Sequence, residues 1–326
     1  MDTLSRIKSP IAHELEQFKS LFDASLATSN ELLNDVIVHI RQRQGKMMRP
    51  MLLLLTARLC GQNNVTPATF YAAVSLELLH TASLIHDDVV DESAERRGQP
   101  SVNALYNNKV AVLVGDYLLA TSLAQVSRTG NRAIVEVVSR LGQSLSEGEL
   151  IQLSNVSKVQ FSEASYFEVI SKKTAALFTA CTEVGALSVG ASPEQVELAC
   201  RIGHSIGLCF QIRDDIFDYY NDPGIGKPTG NDMLEGKLTL PVLHALNATP
   251  DEAGRTLALR VKEGKATSGE IATLMAFAKA HGGITYAEQV MRREQQKVQQ
   301  LLASLPDTAV KEALLEYVNY VVERDR

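Results

Sequence analysis

No Cys-x-x-Cys pair and no histidine at zinc spacing occur in this chain of 326 residues, and its four cysteines (Cys60, Cys181, Cys200, Cys209) lie far apart. That argues against a structural zinc site, and the thiols read as small apolar core residues of a reducing compartment. Positive charge is not in excess either, the formal net charge being −6. Phosphate binding by nucleic-acid readers needs a strongly basic face, so no nucleic acid is expected as a partner. The opening residues carry no apolar signal core, and the longest apolar run near them, Met51 to Leu55, is too short to cross a bilayer. A soluble, cytoplasmic protein is therefore expected. Alternating strand patterns closed by Asn-Gly or Asp-Gly turns are also missing, which leaves the β classes without support.

What the chain has is 45% apolar residues, enough for a substantial core, set at helical period nearly throughout. The fold class is all-α. Helices are expected over roughly 11–27, 29–44, 49–60, 67–91, 109–128, 131–153, 163–189, 193–220, 232–247, 250–264, 268–281, 284–304 and 308–324. Thr28 and Glu31 have capping-box spacing, Thr66-Pro67 and Ser192-Pro193 each set a cap residue before a first-turn proline, and glycines such as Gly61, Gly130 and Gly190 stand where periodic runs stop. Residues 67–86 and 193–217 are apolar on most faces and belong in the centre of a bundle. No linker or repeat splits the chain, so a single domain, 1–326, is expected.

The first of those helices ends in Leu84-Ile85-His86-Asp87-Asp88-Val89-Val90-Asp91. Asp87 and Asp91, four apart, share a face with Cβ atoms ~6 Å apart. An isolated Asp-x-x-x-Asp reads more readily as a solvated acidic turn. Here the preceding helix is apolar all round, and acidic residues are disfavoured at a helix C-terminus, where the macrodipole is negative. The same arrangement returns late in another long apolar helix, at Phe210-Gln211-Ile212-Arg213-Asp214-Asp215-Ile216-Phe217-Asp218. Two facing oxygen-only carboxylate clusters suit Mg²⁺, which commonly bridges a few carboxylates to substrate phosphates. A diphosphate would be repelled by six bare aspartates, so metal is expected to be needed for binding as well as chemistry.

Cations complete the pattern. Lys46 and Arg49 flank the turn into an apolar helix, where an anion could also meet free N–H groups; Arg41 and Arg43 read as ordinary C-terminal capping cations. Arg96-Arg97 follow the first aspartates, Lys172-Lys173-Thr174 lie inside an apolar helix, and Gly224-Ile225-Gly226-Lys227 follows the second aspartates. The last is not a Walker A loop, because proline follows the lysine and a helix precedes it; a flap that brings Lys227 to a phosphate fits better.

Together these residues resemble the trans-isoprenyl diphosphate synthases, and long-chain bacterial polyprenyl diphosphate synthases in particular, from about residue 30 to the C-terminus. The likeness rests on Asp87 to Asp91, Asp214 to Asp218 and Gly45 to Arg49, with Asp91-Glu92-Ser93, Arg96-Arg97-Gly98, Lys173-Thr174-Ala175, Phe210-Gln211 and Glu235-Gly236-Lys237 in support. The resemblance implies the isoprenoid synthase fold, a bundle of long antiparallel helices around a central cavity. It implies that Lys46, Arg49, His80 and Arg97 hold isopentenyl diphosphate, and that Arg96, Lys173 and Lys227 face the allylic diphosphate, with Lys237 also binding substrate. Asp87 and Asp91 would ligate two Mg²⁺ and Asp214 a third, with Asp88, Asp215 and Asp218 as further partners. Departing diphosphate would leave an allylic carbocation eased by dipoles of Thr174 and Gln211. A homodimer is implied as well, and transient membrane association of the product.

Four and five residues before Asp87 stand Ser83 and Ala82, ~6–7.5 Å deeper along the helix. A bulky aromatic there closes the pocket early in the resembled family, so small residues imply a long product, about seven to ten isoprene units, for a quinone side chain. Leu79 and Leu76 are the next positions inward. The alternative at these positions is close helix packing, with a farnesyl or geranylgeranyl product. Three other readings compete. A class I terpene cyclase would not need Lys46, Arg49 or the second aspartate set, and a non-catalytic regulatory subunit would not need both sets intact. A di-iron bundle needs two Glu-x-x-His motifs, where only Glu77-Leu78-Leu79-His80 is found.

Overall fold

A computed structural model describes residues 2–42, 45–96, 98–156, 161–220 and 229–324. In chain order its helices are α1 (Thr3–Lys8), α2 (Ala12–Ser25), α3 (Glu31–Arg41), α4 (Met48–Cys60), α5 (Pro67–Val90), α6 (Val102–Leu105), α7 (Asn108–Ser127), α8 (Arg132–Val156), α9 (Glu163–Ile170) and α10 (Ala176–Leu187). They continue as α11 (Pro193–Phe217), α12 (Asn231–Leu234), α13 (Leu240–Ala248), α14 (Glu252–Lys262), α15 (Ser268–Ala280), α16 (Gly283–Ala303) and α17 (Ala309–Glu323). Among the described residues the only strands are β1 (Glu95–Arg96) and β2 (Gln99–Pro100), paired antiparallel. The chain is all-α, as its periodicity requires.

The chain divides into two compact units. One comprises Met1–Gln143, Leu177–Gly203 and Leu301–Tyr320; the other Ser144–Ala176, His204–Gln300 and Val321–Arg326. At the heart of the first lies α5, packed along α7 and against α2 and α4. Pro67 supplies a preset φ for its first turn, and the Thr66 N–H donates to Thr69 Oγ1 (3.1 Å). Leu76, Leu78, Leu79 and Ala82 are buried, each leucine contributing roughly 1.5–3 kcal/mol by removal from water. By length and composition α5 and α7 could each cross a membrane, and 61% of the most apolar stretch of α5 is buried inside the protein. Gly115 brings α7 close to α5, since a Cβ there would sit 2.1 Å from His86 Nε2.

In the second unit α13 and α14 pack on α15, and α9 packs on α13. In the first unit the Ser192 N–H donates to Gln195 Oε1 (2.9 Å) and the Gln195 N–H to Ser192 Oγ (3.3 Å), so α11 starts where the Ser-Pro pair predicts.

Three expectations need correction. Asn30, not Thr28, caps α3: its side chain accepts from the Leu33 N–H (2.9 Å), and Thr28 Oγ1 instead accepts from the Asn30 N–H (3.2 Å). The helix expected over 232–247 is two helices, because Gly236 takes φ +76° and ends α12, while Pro241 belongs in the first turn of α13. The single helix expected over 163–189 is interrupted by a π turn, Ser171–Ala175, in which the Ala176 N–H reaches back to the Ser171 carbonyl. Such insertions re-aim side chains and recur at functional sites.

Candidate functional site

In the first unit α5 delivers three aspartates that the fold treats differently. Asp88 is 3% exposed, and Arg96, carried by β1, grips both of its oxygens: Nε lies 2.8 and 2.9 Å from them and Nη2 is 2.7 Å from Oδ1. The Asp88 carbonyl accepts from the Ser93 N–H (2.9 Å) and from Asn103 Nδ2 (3.2 Å), which ties the hairpin to the helix end. Asp87 and Asp91 are only half-buried, and the Asp91 N–H donates to the Asp87 carbonyl (2.8 Å). The turn beyond them relies on Glu92 at φ +49°.

The cations of the Gly45 to Arg49 turn are in the same unit. Met47 adopts a left-handed conformation and stands as the N-cap of α4, between Lys46 and Arg49. Lys46 is exposed and its Nζ lies 2.5 Å from Tyr320 Oη. The Arg49 guanidinium stacks over Phe178 at 5.6 Å, with its buried Nε making no protein hydrogen bond. A cavity of about 150 Å³ is lined by Gly45, Met47, His80, Asp88 and Arg96, with apolar walls from Phe22 and Leu84. Arg41 meets Asp23 (3.1 Å), and Arg43 and Arg97 lie outside the described residues.

In the second unit Asp214, with 41% of its side chain exposed, meets Arg324 Nη2 at 2.5 Å; that guanidinium also stacks over Phe210 at 4.0 Å. Asp215 is 3% exposed. Its Oδ2 accepts from Tyr166 Oη (2.5 Å) and its Oδ1 from Gln211 Nε2 (2.8 Å), while Gln211 Oε1 accepts from Thr174 Oγ1 (2.6 Å). Burial pushes the Asp215 carboxyl up to about 7, against the pull of the hydrogen bonds from Tyr166 and Gln211. Asp218 accepts from the N–H groups of Asn231 (2.9 Å) and Asp232 (3.1 Å), so it closes the start of α12. Desolvation, and then the neighbouring Asp215 and Asp218, push Asp232 well above the usual carboxylate range.

Lys173 sits in the π turn, ion-paired to Glu149 and 3.3 Å from Gln152 Oε1. Gly148 makes room for it, since a Cβ there would lie 2.8 Å from Lys173 Cγ. Lys237 pairs with Glu235 (2.6 Å). A cavity of about 240 Å³ is lined by Lys173, Thr174, Gln211, Asp215, Asp232 and Lys237. Ala82, Ser83, Leu79 and Leu76 line neither this cavity nor the first. Lys227 lies outside the described residues.

Among the described residues no three His, Cys, Asp or Glu side chains form a ready-made metal cage. That donor set still fits Mg²⁺, which takes one or two protein carboxylates and completes its octahedron with phosphate and water.

Sequence reasoning missed Tyr166, Asp232 and Arg324. Tyr166 precedes Lys173 by two helical turns, a spacing that could have drawn attention to it; nothing local marks Arg324, which meets Asp214 from 110 residues away.

The polyprenyl synthetase family model matches residues 30–277. Octaprenyl diphosphate synthase of Escherichia coli (strain K12) is 33% identical over 324 residues, covering 99% of each chain. Among solved structures, geranylgeranyl pyrophosphate synthase from Bacteroides thetaiotaomicron is 56% identical with a TM-score of 0.88, covering 99% of this chain and 100% of that one. A decaprenyl diphosphate synthase from Rhodobacter capsulatus is 37% identical with a TM-score of 0.90, covering 99% of both. With an all-α fold shared along its length and the family pattern matched across most of it, the chain belongs to the polyprenyl synthetase family of prenyltransferases.

Proposed function

We propose that this protein is an all-trans polyprenyl diphosphate synthase that adds isopentenyl diphosphate units to an allylic diphosphate. The observation that carries the reading is the burial of the aspartates: Asp87, Asp91, Asp214 and Asp218 keep partly exposed side chains at the ends of α5 and α11, while Asp88 and Asp215 are 3% exposed and held by Arg96 and by Tyr166 with Gln211. In this reading Asp87, Asp91 and Asp214 hold Mg²⁺, three ions with substrate bound, and Asp88, Asp215 and Asp218 orient their neighbours. Mg²⁺ when bound neutralises the diphosphate and assists its departure. Lys46, Arg49, His80 and Arg97 bind isopentenyl diphosphate; Arg96, Lys173, Lys227 and Lys237 bind the allylic diphosphate. Thr174 and Gln211 present oxygen dipoles to the cation that forms, and the released diphosphate takes the final proton, so no histidine base is needed.

The product is long, about seven to ten isoprene units, because Ala82 and Ser83 offer no bulk near the aspartates. The names of the E. coli and R. capsulatus relatives agree. A second reading, a four-isoprene product, is favoured by the 56% identity to the B. thetaiotaomicron structure named for geranylgeranyl pyrophosphate. Chromatography of products grown from each short primer separates the two. The natural role of a long product is a quinone side chain, made in the cytoplasm and handed to a membrane. A homodimer is supported by the exposed apolar side chains Val112, Leu113 and Leu123 on α7.

A further inference from the structure

We infer that Tyr166 is a positioning residue for prenyl transfer, acting through Asp215 and Gln211 to fix which way the Thr174 hydroxyl dipole points. The inference rests on the prenyl-transfer reading above.

Hydrogen-bond direction along these four side chains decides how Thr174 points. A glutamine amide has a donor end and an acceptor end, and a threonine hydroxyl can both donate and accept, so Thr174 by itself accepts either orientation of Gln211. Both oxygens of Asp215 accept here, one from Tyr166 Oη and the other from Gln211 Nε2. Asp215 therefore selects the orientation: Gln211 Nε2 donates to Asp215 Oδ1 (2.8 Å), which leaves Oε1 for the Thr174 hydroxyl hydrogen (2.6 Å). With its hydrogen committed, Thr174 Oγ1 has only lone pairs left for the cavity that it lines with Lys173 and Gln211. Lone pairs are the negative end of the dipole and favour a developing carbocation; with the amide reversed, the hydroxyl hydrogen would be free to turn outward and oppose it.

Tyr166 makes that selection firm. Its hydroxyl donates to the other oxygen of Asp215 at 2.5 Å, in a site where Asp215 is 3% and Tyr166 8% exposed. Without that donor the carboxylate has an unsatisfied oxygen in a nearly dry site, and it gains by rotating away from Gln211. The run Tyr166, Asp215, Gln211, Thr174 thus has one direction only while all four members are present.

The test is a double-mutant cycle of Tyr166→Phe with Thr174→Val, assayed by steady-state condensation with Mg²⁺. In the parent, Tyr166→Phe is expected to lower kcat about tenfold, with little change in KM for either diphosphate. In the Thr174→Val background it is expected to cost nothing further. Equal losses in both backgrounds, an effect on KM alone, or no effect would overturn the inference. If circular dichroism shows that Tyr166→Phe does not fold, Asp215→Asn is put through the same cycle with the same two outcomes. An unsubstituted enzyme with no condensation activity would sink the prenyl-transfer reading instead.

Discussion

Arg96 holds both carboxylate oxygens of Asp88 within 2.9 Å, and Asp88 is 3% exposed. A buried carboxylate that loses its partner is left uncompensated, whereas the Arg96 side chain is itself 36% exposed and partly hydrated. Arg96→Gln should therefore destabilise the fold by about 2–3 kcal/mol, read as a lower urea midpoint with unchanged slope. Pairing it with Asp88→Asn should restore part of the loss. Were Arg96 only a diphosphate ligand, its removal would raise KM and leave the midpoint in place.

Ala82 is fully buried, and Ser83 Oγ donates to the His80 carbonyl (2.9 Å) one turn above the aspartates. On the path proposed for the growing tail, Ala82→Phe would put a ring in its way. The expected outcome, read by product chromatography, is a shift to chains several isoprene units shorter, with turnover retained. An unchanged profile would remove Ala82 from the path.

Much of this was legible beforehand for a physical reason: apolar helices that end in aspartates break two local preferences at once, and Asp87 to Asp91 and Asp214 to Asp218 do so in the same way. The burial of Asp88 and Asp215 and the distant partners of Asp88, Asp214 and Asp215 were not legible, because Arg96, Arg324 and Tyr166 reach them through tertiary structure. The π turn was hidden for a related reason. Lys172-Lys173 breaks an apolar pattern, but periodicity at 3.6 cannot show a one-residue insertion. The break at 235–239 was more accessible, as Gly236 and Pro241 are ordinary stop and start signals.

Glu270 caps α15. Its carboxylate is held down to about 2, first by the Thr267 N–H and then by Arg260 and the Thr267 hydroxyl. A depressed acid adds stability that is complete above its ordinary value of 4.5 and is lost as pH falls toward 2. Glu270→Gln should lower the melting temperature at pH 7, and the gap to the parent should narrow as pH falls below about 4.5. A gap that stays constant through that window would show that the charge has no part in it.

Burial pushes the thiols of Cys181, Cys200 and Cys209 up to about 12 and that of Cys60 to about 11. A thiol reagent at pH 8 should therefore leave the buried Cys181 and Cys209 unlabelled in the native protein, react only slowly with the half-buried Cys60 and Cys200, and titrate four thiols after unfolding. Rapid labelling of the native chain would contradict the packing described.

The central claim is Mg²⁺-dependent condensation by Asp87, Asp91 and Asp214. Incorporation of labelled isopentenyl diphosphate with each short allylic primer, with Mg²⁺ and after its removal by chelator, tests it most directly. All-trans polyprenyl diphosphates of about seven to ten units should form with metal and not without it; no incorporation with any primer in saturating Mg²⁺ would contradict the account.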